Sequence, residues 1–271
     1  MRCPLCNGEL VLNVEKTEGE EVSSGFLQCS VCKKEYKICH GIPDFVLPEL
    51  LNETDEKWMR SYDRTARSYE LMMGTLIPLF SMGSEPLERR RWIKQLQAER
   101  GDHVLDVSTG TGRNLSLIAK LVGSSGRVSA IDISSGALSY AEMKIRRKKW
   151  KNVELQRANA SHLPFKNDTF DAVLHVGGIN TFGEKRRALC EMVRVAKPNA
   201  KIVIVDEGLA PAQEKSLVGK ILLKTNALYS CKPPTELLPE NVKHLQVIWK
   251  IICSRFLPVW PFYNMEFRKC P

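Results

Sequence analysis

The stretch VLDVSTGTGRN, residues 104–114, constrains the fold more than any other part of the chain. An apolar run ends on an acid, a turn with two glycines follows, and a helical pattern begins at once. A strand buried on both faces that leads through a tight turn into a helix is the opening unit of a parallel α/β sheet. Gly110 and Gly112 let the backbone take positive φ and come close to a ligand. The helix N-terminus beyond them favours an anionic group such as a carboxylate. A dinucleotide-binding turn needs glycine at its first, third and sixth positions, and here those positions hold Ser108, Gly110 and Arg113. Arginine at the sixth position does not permit the close helix–strand contact, so the turn argues for an adenosine cofactor other than a nicotinamide dinucleotide.

The segments HVLDVS, RVSAIDIS, VELQRA, FDAVLHVGG and AKIVIVDEG are short Val/Ile/Leu-rich runs separated by helical stretches. They predict five parallel strands in a doubly wound α/β layer. KHLQVIWKIICS and VWPFYNMEFRK have no helix between them and predict an antiparallel hairpin at the sheet edge. Three units follow: a small β-rich module over residues 1–50, a helical lid or linker over 51–95, and the cofactor-binding body over 96–271.

The first unit carries Cys3-x-x-Cys6 and Cys29-x-x-Cys32, separated by 22 residues. Two such knuckles bring four thiolates together in the tetrahedral set that zinc prefers. The spacer reads as two strands joined by a polar hairpin. A unit this small needs metal for much of its folding energy. Nine cysteines, an odd number, fit a reducing compartment better than a disulfide framework. No run of 18 apolar residues exists, and the opening MRCPLCNGEL lacks the apolar centre of a signal peptide, so a cytoplasmic protein is expected.

Residues 1–50 hold five Lys/Arg and eight Asp/Glu, a balance of −3, which leaves +12 on the remaining chain. A basic body suits RNA, peripheral contact with an anionic lipid surface, or an acidic substrate, as well as a plainly solvated surface. The most basic tract, KIRRKKWK at 144–151, closes a predicted helix whose buried stripe is Leu138, Ala141 and Ile145. In the middle unit, Tyr62, Tyr69, Leu71, Met72, Met73 and Leu76 are placed to cover an apolar ligand or to pack on the body. The next helix, PLERRRWIKQLQA, is expected to turn Leu87, Ile93 and Leu96 inward and its arginines outward.

The body resembles class I S-adenosylmethionine-dependent methyltransferases, whose first motif is usually Asp/Glu-x-Gly-x-Gly-x-Gly; Ser108 stands at the first glycine. The likeness implies that Asp106, Ser108, Gly110 and Gly112 form the cofactor loop. It implies that Asp132 at the end of the second strand accepts the ribose hydroxyls, with Ile133 beside it. After the third strand the family usually has Gly-Asp-Ala, with the acid on the adenine amino group. Here Ala158-Asn159-Ala160 stand there, and the Asn159 carbonyl can accept the same bond. YDRTARSYE, the GGIN turn and the C-terminal hairpin add a likeness to the ubiquinone/menaquinone C-methyltransferases over most of residues 60–271. The cysteine module resembles the zinc-binding activator subunits of several methyltransferases, fused in cis.

Ligands of open α/β sheets lie beyond the carboxyl ends of the strands. That rule selects His175, Gly177, Gly178, Asn180, Asp206 and Glu207. His175 is the best base candidate and a cofactor neighbour, although its place in an apolar alternation suits a hydrogen-bonded core histidine better. His103 opens its strand at the opposite end. Two cofactors are thus expected, S-adenosylmethionine and zinc, with a small and lipid- or quinone-like acceptor. RNA gripped by the zinc module and basic surface is the second reading, and an inactive cofactor-binding module the third.

Overall fold

The computed structural model describes residues 1–76, 84–253 and 258–271. The predicted lid segment is therefore described only as far as residue 76, without the side chains at 75 and 76; positions 77–83 and 254–257 lie outside the described residues.

The first unit is an antiparallel sheet in chain order, β1 (Leu10–Glu18), β2 (Glu21–Cys29), β3 (Glu35–Cys39) and β4 (Ile42–Pro43). The helix α1 (Glu53–Leu71) follows, capped by Asn52, whose side chain accepts the Asp55 N–H, and it ends in a π-helical turn over Met72–Leu76. Then come α2 (Ser84–Gln95), β5 (His103–Val107), α3 (Leu115–Val122), β6 (Arg127–Asp132), α4 (Ser135–Lys148), β7 (Val153–Arg157), β8 (Phe170–Val176), α5 (Lys185–Val195), β9 (Ala196–Glu207), α6 (Pro211–Glu214), α7 (Leu217–Thr225), β10 (Val242–Cys253) and β11 (Pro258–Lys269).

The large sheet has the order β10-β11-β9-β8-β5-β6-β7. β7, β6, β5, β8 and β9 run parallel, and β11 pairs antiparallel with both β9 and β10. The expected five strands and terminal hairpin are all present, with the hairpin's second strand inserted beside β9. Alternation along the strands splits the core in two. Val104, Val128, Leu174 and Val203 pack beneath α2, α3 and α4. Leu105, Val107, Val173, Ile202 and Ile204 face α5 and the cysteine module.

The cysteine module is not an isolated bead. Tyr36, Phe45 and Leu47 share a core with Leu163 and Phe165 of the body. The Phe45 N–H donates to the Arg157 carbonyl at 2.7 Å, and the Arg157 guanidinium reaches the Asp44 carboxylate at 2.7 Å. These contacts cover the end of β7, which would otherwise be an open sheet edge.

One expectation fails in α2. Ile93 and Leu96 are buried, but Leu87 is 53% exposed and Arg89 is 6% exposed. The reason lies under the glycine loop, where buried polar groups need a cation.

Candidate cofactor and acceptor site

Gly110 and Gly112 both adopt positive φ, and Ser108 does too, at 57°. The serine takes the backbone conformation that the usual glycine would, at a cost of about 1 kcal/mol. The two glycines serve different ends. A Cβ on Gly112 would strike Leu115 and Ala141, so this glycine lets the loop close against α4. A Cβ on Gly110 would meet nothing within 4 Å, leaving backbone open to a ligand.

Asp106 supports this loop from beneath. Its fully buried carboxylate accepts from Thr109 Oγ1 at 2.7 Å and from Asn114 Nδ2 at 3.2 Å. Asn114 in turn accepts from Arg89, whose guanidinium is held by the buried Glu85 at 2.6 Å. Arg89 is inward because this chain of buried acids and amides requires a positive partner. Arg113, a candidate for the cofactor carboxylate, lies 3.2 Å from Glu85.

Above the loop lies a cavity of about 490 Å³. Of the residues anticipated from sequence, Ser108, Gly110, Asp132, Ile133, Asn159 and Ala160 line it. Asp106, Gly112 and His175 stand behind its walls. Asp132 Oδ2 accepts the Gly110 N–H at 2.7 Å and Oδ1 accepts the Ser134 N–H at 2.9 Å. Burial nevertheless pushes its carboxyl up to about 6.

His175 does not fit the proton acceptor expected of it. It is wholly buried, its Nδ1 lies 3.2 Å from the Val107 carbonyl, and its Nε2 accepts the Ile179 N–H at 3.0 Å. Both nitrogens are spent within the protein as a neutral imidazole, and burial holds the ring down at about 4. It joins β5 to the turn after β8. Asp206 anchors that same turn, accepting the N–H groups of Gly178 and Asn180. Glu207, one residue on, does line the cavity; burial and the neighbouring Asp206 raise its carboxyl to about 7. His103 packs on Ser129 and Phe170 at the far end of the sheet, as anticipated.

Tyr62, Tyr69, Met72 and Met73 line the cavity from α1 and the turn after it, while Leu71 is 62% exposed. Phe182, Tyr229 and Trp260 complete an apolar wall. Tyr229 and Trp260 escaped the sequence reading, as did Asp55 at the other end, because they arrive from elements distant in the chain. The tract 144–151 is partly tied down within the molecule: Lys144 pairs with Glu70 at 2.6 Å, and Arg146 with Glu142 at 2.8 Å and Glu18 at 3.6 Å. No helix among the described residues is long and apolar enough to cross a membrane.

The four cysteine sulfurs lie within 4.8 Å of one another. Cys3 and Cys32 are 3.7 Å apart and Cys6 and Cys29 3.5 Å. Sulfurs about 2.3 Å from a tetrahedral zinc stand roughly 3.8 Å apart, so the set has the right size. Each knuckle closes alike: Asn7 and Lys33, both at positive φ, donate their N–H groups to the carbonyls of Cys3 and Cys29. The Tyr36 hydroxyl sits 3.0 Å from the Cys3 sulfur.

Comparison with known proteins agrees with this architecture. Residues 51–213 match the family model described as the ubiE/COQ5 methyltransferase family. The chain is 33% identical over 159 residues to the demethylmenaquinone methyltransferase of Lactobacillus johnsonii, covering 58% of this chain and 64% of that protein. It is 33% identical over 167 residues to the ubiquinone/menaquinone biosynthesis C-methyltransferase UbiE of Marinomonas sp., covering 60% and 64%. The match thus spans a little under two thirds of these relatives' own length. Phosphoethanolamine N-methyltransferase 2 of Haemonchus contortus, solved with S-adenosyl-L-methionine, shares the fold at a TM-score of 0.62 and 14% identity, over 88% of this chain and 63% of that one. With more than half its length matched by the family model, the chain belongs to the ubiE/COQ5 methyltransferase family.

Proposed function

We propose that this protein is an S-adenosylmethionine-dependent methyltransferase acting on a ring carbon of a small quinol, the reduced form of a demethylmenaquinone-like acceptor. The observation that carries the reading is the single cavity that joins Gly110 and Asp132 at one end to Tyr62, Met73, Tyr229, Trp260 and Glu207 at the other. When bound, S-adenosylmethionine supplies a methyl group on a positively charged sulfur. The chain's own task is alignment and exclusion of water. Gly110 and Asp132 hold the cofactor's ribose region, and the aromatic and Met side chains orient a flat apolar ring. Glu207, with its carboxyl near 7, takes the hydroxyl proton of the ring. Loss of that proton raises electron density on the neighbouring ring carbon, which would bond to the methyl as the methyl–sulfur bond breaks and neutral S-adenosylhomocysteine leaves; the hydrogen on that carbon then departs as a proton while Glu207 returns one to the ring oxygen, which restores the quinol.

Zinc at Cys3, Cys6, Cys29 and Cys32 is part of the same proposal, as a structural metal that holds the two knuckles together. Cytoplasmic residence, with the acceptor met there or at a membrane surface, fits the free thiols and the absence of a spanning helix among the described residues. The paired state of Lys144 and Arg146 favours the small acceptor over RNA. Calorimetry tests the reading: S-adenosylhomocysteine binds and NADH does not, with little dependence on salt. Binding of NADH alone would overturn it.

A further inference from the structure

α7 carries a surface that the cavity does not use. Its nine residues, LVGKILLKT, hold two lysines and no acid, and Ser216 caps them by accepting the Gly219 N–H at 2.9 Å. On the inner side Leu222 is buried and shares a small core with Leu209 and Tyr229, with Leu223 and Trp260 packed against it. The outer side is apolar. Leu217 is 77% exposed, more than any other large apolar side chain among the described residues, and Val218 and Ile221 beside it are 48% and 55% exposed. Leu217 and Ile221 lie one turn apart on one stripe of the helix, and the exposed Lys220 and Lys224 lie one turn apart on the stripe next to it. Lys215 adds an exposed cation just before the cap, while the acid preceding it, Glu214, is paired with Lys232.

The pattern selects its partner. A stable contact between proteins takes about 20–30 residues a side, and three apolar side chains on a nine-residue helix fall well short of that. RNA would meet the lysines and leave Leu217 and Ile221 in water. A bilayer takes up both: its acyl chains close around single inserted side chains, and its anionic head groups lie where lysine ends reach. The inner side of α7 belongs to the cavity wall, since Tyr229 and Trp260 line the cavity and so do Asn226 and Leu228, which follow the helix directly. We propose that α7 docks on an anionic phospholipid bilayer, inserting Leu217, Val218 and Ile221 and setting Lys215, Lys220 and Lys224 among the head groups. Resting on the reading of the cavity as a quinol site, this contact brings the Tyr229–Trp260 wall next to the lipid, where a lipid-dissolved acceptor is found.

The test is flotation of the full chain with vesicles of phosphatidylglycerol and phosphatidylcholine in equal parts, and with phosphatidylcholine alone. The wild type should float with the anionic vesicles, much less with the neutral ones, and less as salt is raised. Leu217→Ser with Ile221→Ser should lower the affinity at least tenfold. Lys220→Gln with Lys224→Gln should lower it about fivefold for each lysine. Lys148→Glu with Lys149→Glu, on another face, should float nearly as the wild type does. Wild type that shows no preference for anionic vesicles overturns the proposal, whether or not the variants fold. Undiminished flotation of both α7 variants, or flotation lost only in the Lys148 and Lys149 reversal, overturns it too. So does a wild-type dimer that the Leu217 and Ile221 variant dissolves in the ultracentrifuge while neither protein floats. Methyl transfer is then measured on a tail-less quinol in water and a long-tailed quinol in the anionic vesicles. The Leu217 and Ile221 variant should keep the first and lose most of the second. Flotation as expected with no transfer to either quinol would sink the acceptor reading and leave the docking surface standing.

Discussion

Asp132 accepts two backbone N–H groups and is still pushed up to about 6, because desolvation outweighs those bonds. In the proposed cofactor site, its ionised form is the one that would accept both ribose hydroxyls. Affinity for S-adenosylhomocysteine should therefore be full above about pH 6 and fall as the pH is lowered through that value. Asp132→Ala should weaken binding by about 1.5–3 kcal/mol at pH 8 and flatten the pH dependence. Calorimetry at several pH values checks both, and an unchanged slope in the variant would assign the titration elsewhere. Residues of this kind were legible in the sequence because their geometry is local: an acid ending one strand meets the glycine turn of the neighbouring one. Arg89 and Asp55 were not. Arg89 looked like one of three solvated arginines, and only Glu85 four positions earlier hinted at a buried pair. The Asp55–Asn159 contact joins residues 104 positions apart and depends on how α1 crosses the sheet. His175 was legible as either a base or a hydrogen-bonded core residue, and the Val107 carbonyl and the Ile179 N–H at its ring decide for the core role.

At the scale of elements, helices and strands were readable wherever the apolar period was unbroken, as in β5, β6, β8 and β9. The C-terminal hairpin was readable because no helix separates its runs, and its function comes from its place. Insertion of β11 beside β9 brings the Tyr263 hydroxyl to Asn180 at 3.0 Å, which braces the turn after β8. α1 and its π-helical turn form the apolar wall of the cavity on the side of the proposed acceptor, with Met73 at 4% exposure. Met73→Lys should reduce turnover at least tenfold by placing a charge in that wall, an effect of more than about 1.4 kcal/mol. Lys148→Glu with Lys149→Glu should leave turnover nearly unchanged. Activity lost in the charge reversal, and lost likewise with rising salt, would point to RNA or an anionic membrane surface.

In the whole molecule, the cysteine module and the cofactor site are mechanically linked. The module shares a core with Leu163 and Phe165, and its Arg2 N–H donates to the Pro164 carbonyl at 2.9 Å, close behind the loop that carries Asn159. Chelation of the proposed zinc should therefore loosen residues 1–45 first and weaken S-adenosylhomocysteine binding as well. Hydrogen exchange with and without chelator checks the order, and full protection of residues 1–45 in metal-free protein would contradict it. This shared core was not legible in the sequence, because Tyr36, Phe45 and Leu47 lack any periodic signature that names a partner. The central claim, methyl transfer to a ring carbon with Glu207 as proton acceptor, is tested most directly by mass spectrometry with isotope-labelled S-adenosylmethionine and a demethylmenaquinol. The account predicts one labelled methyl on a ring carbon in the wild type and a large loss of that product in Glu207→Gln; label found only on oxygen or in RNA, or undiminished transfer in the variant, would contradict it.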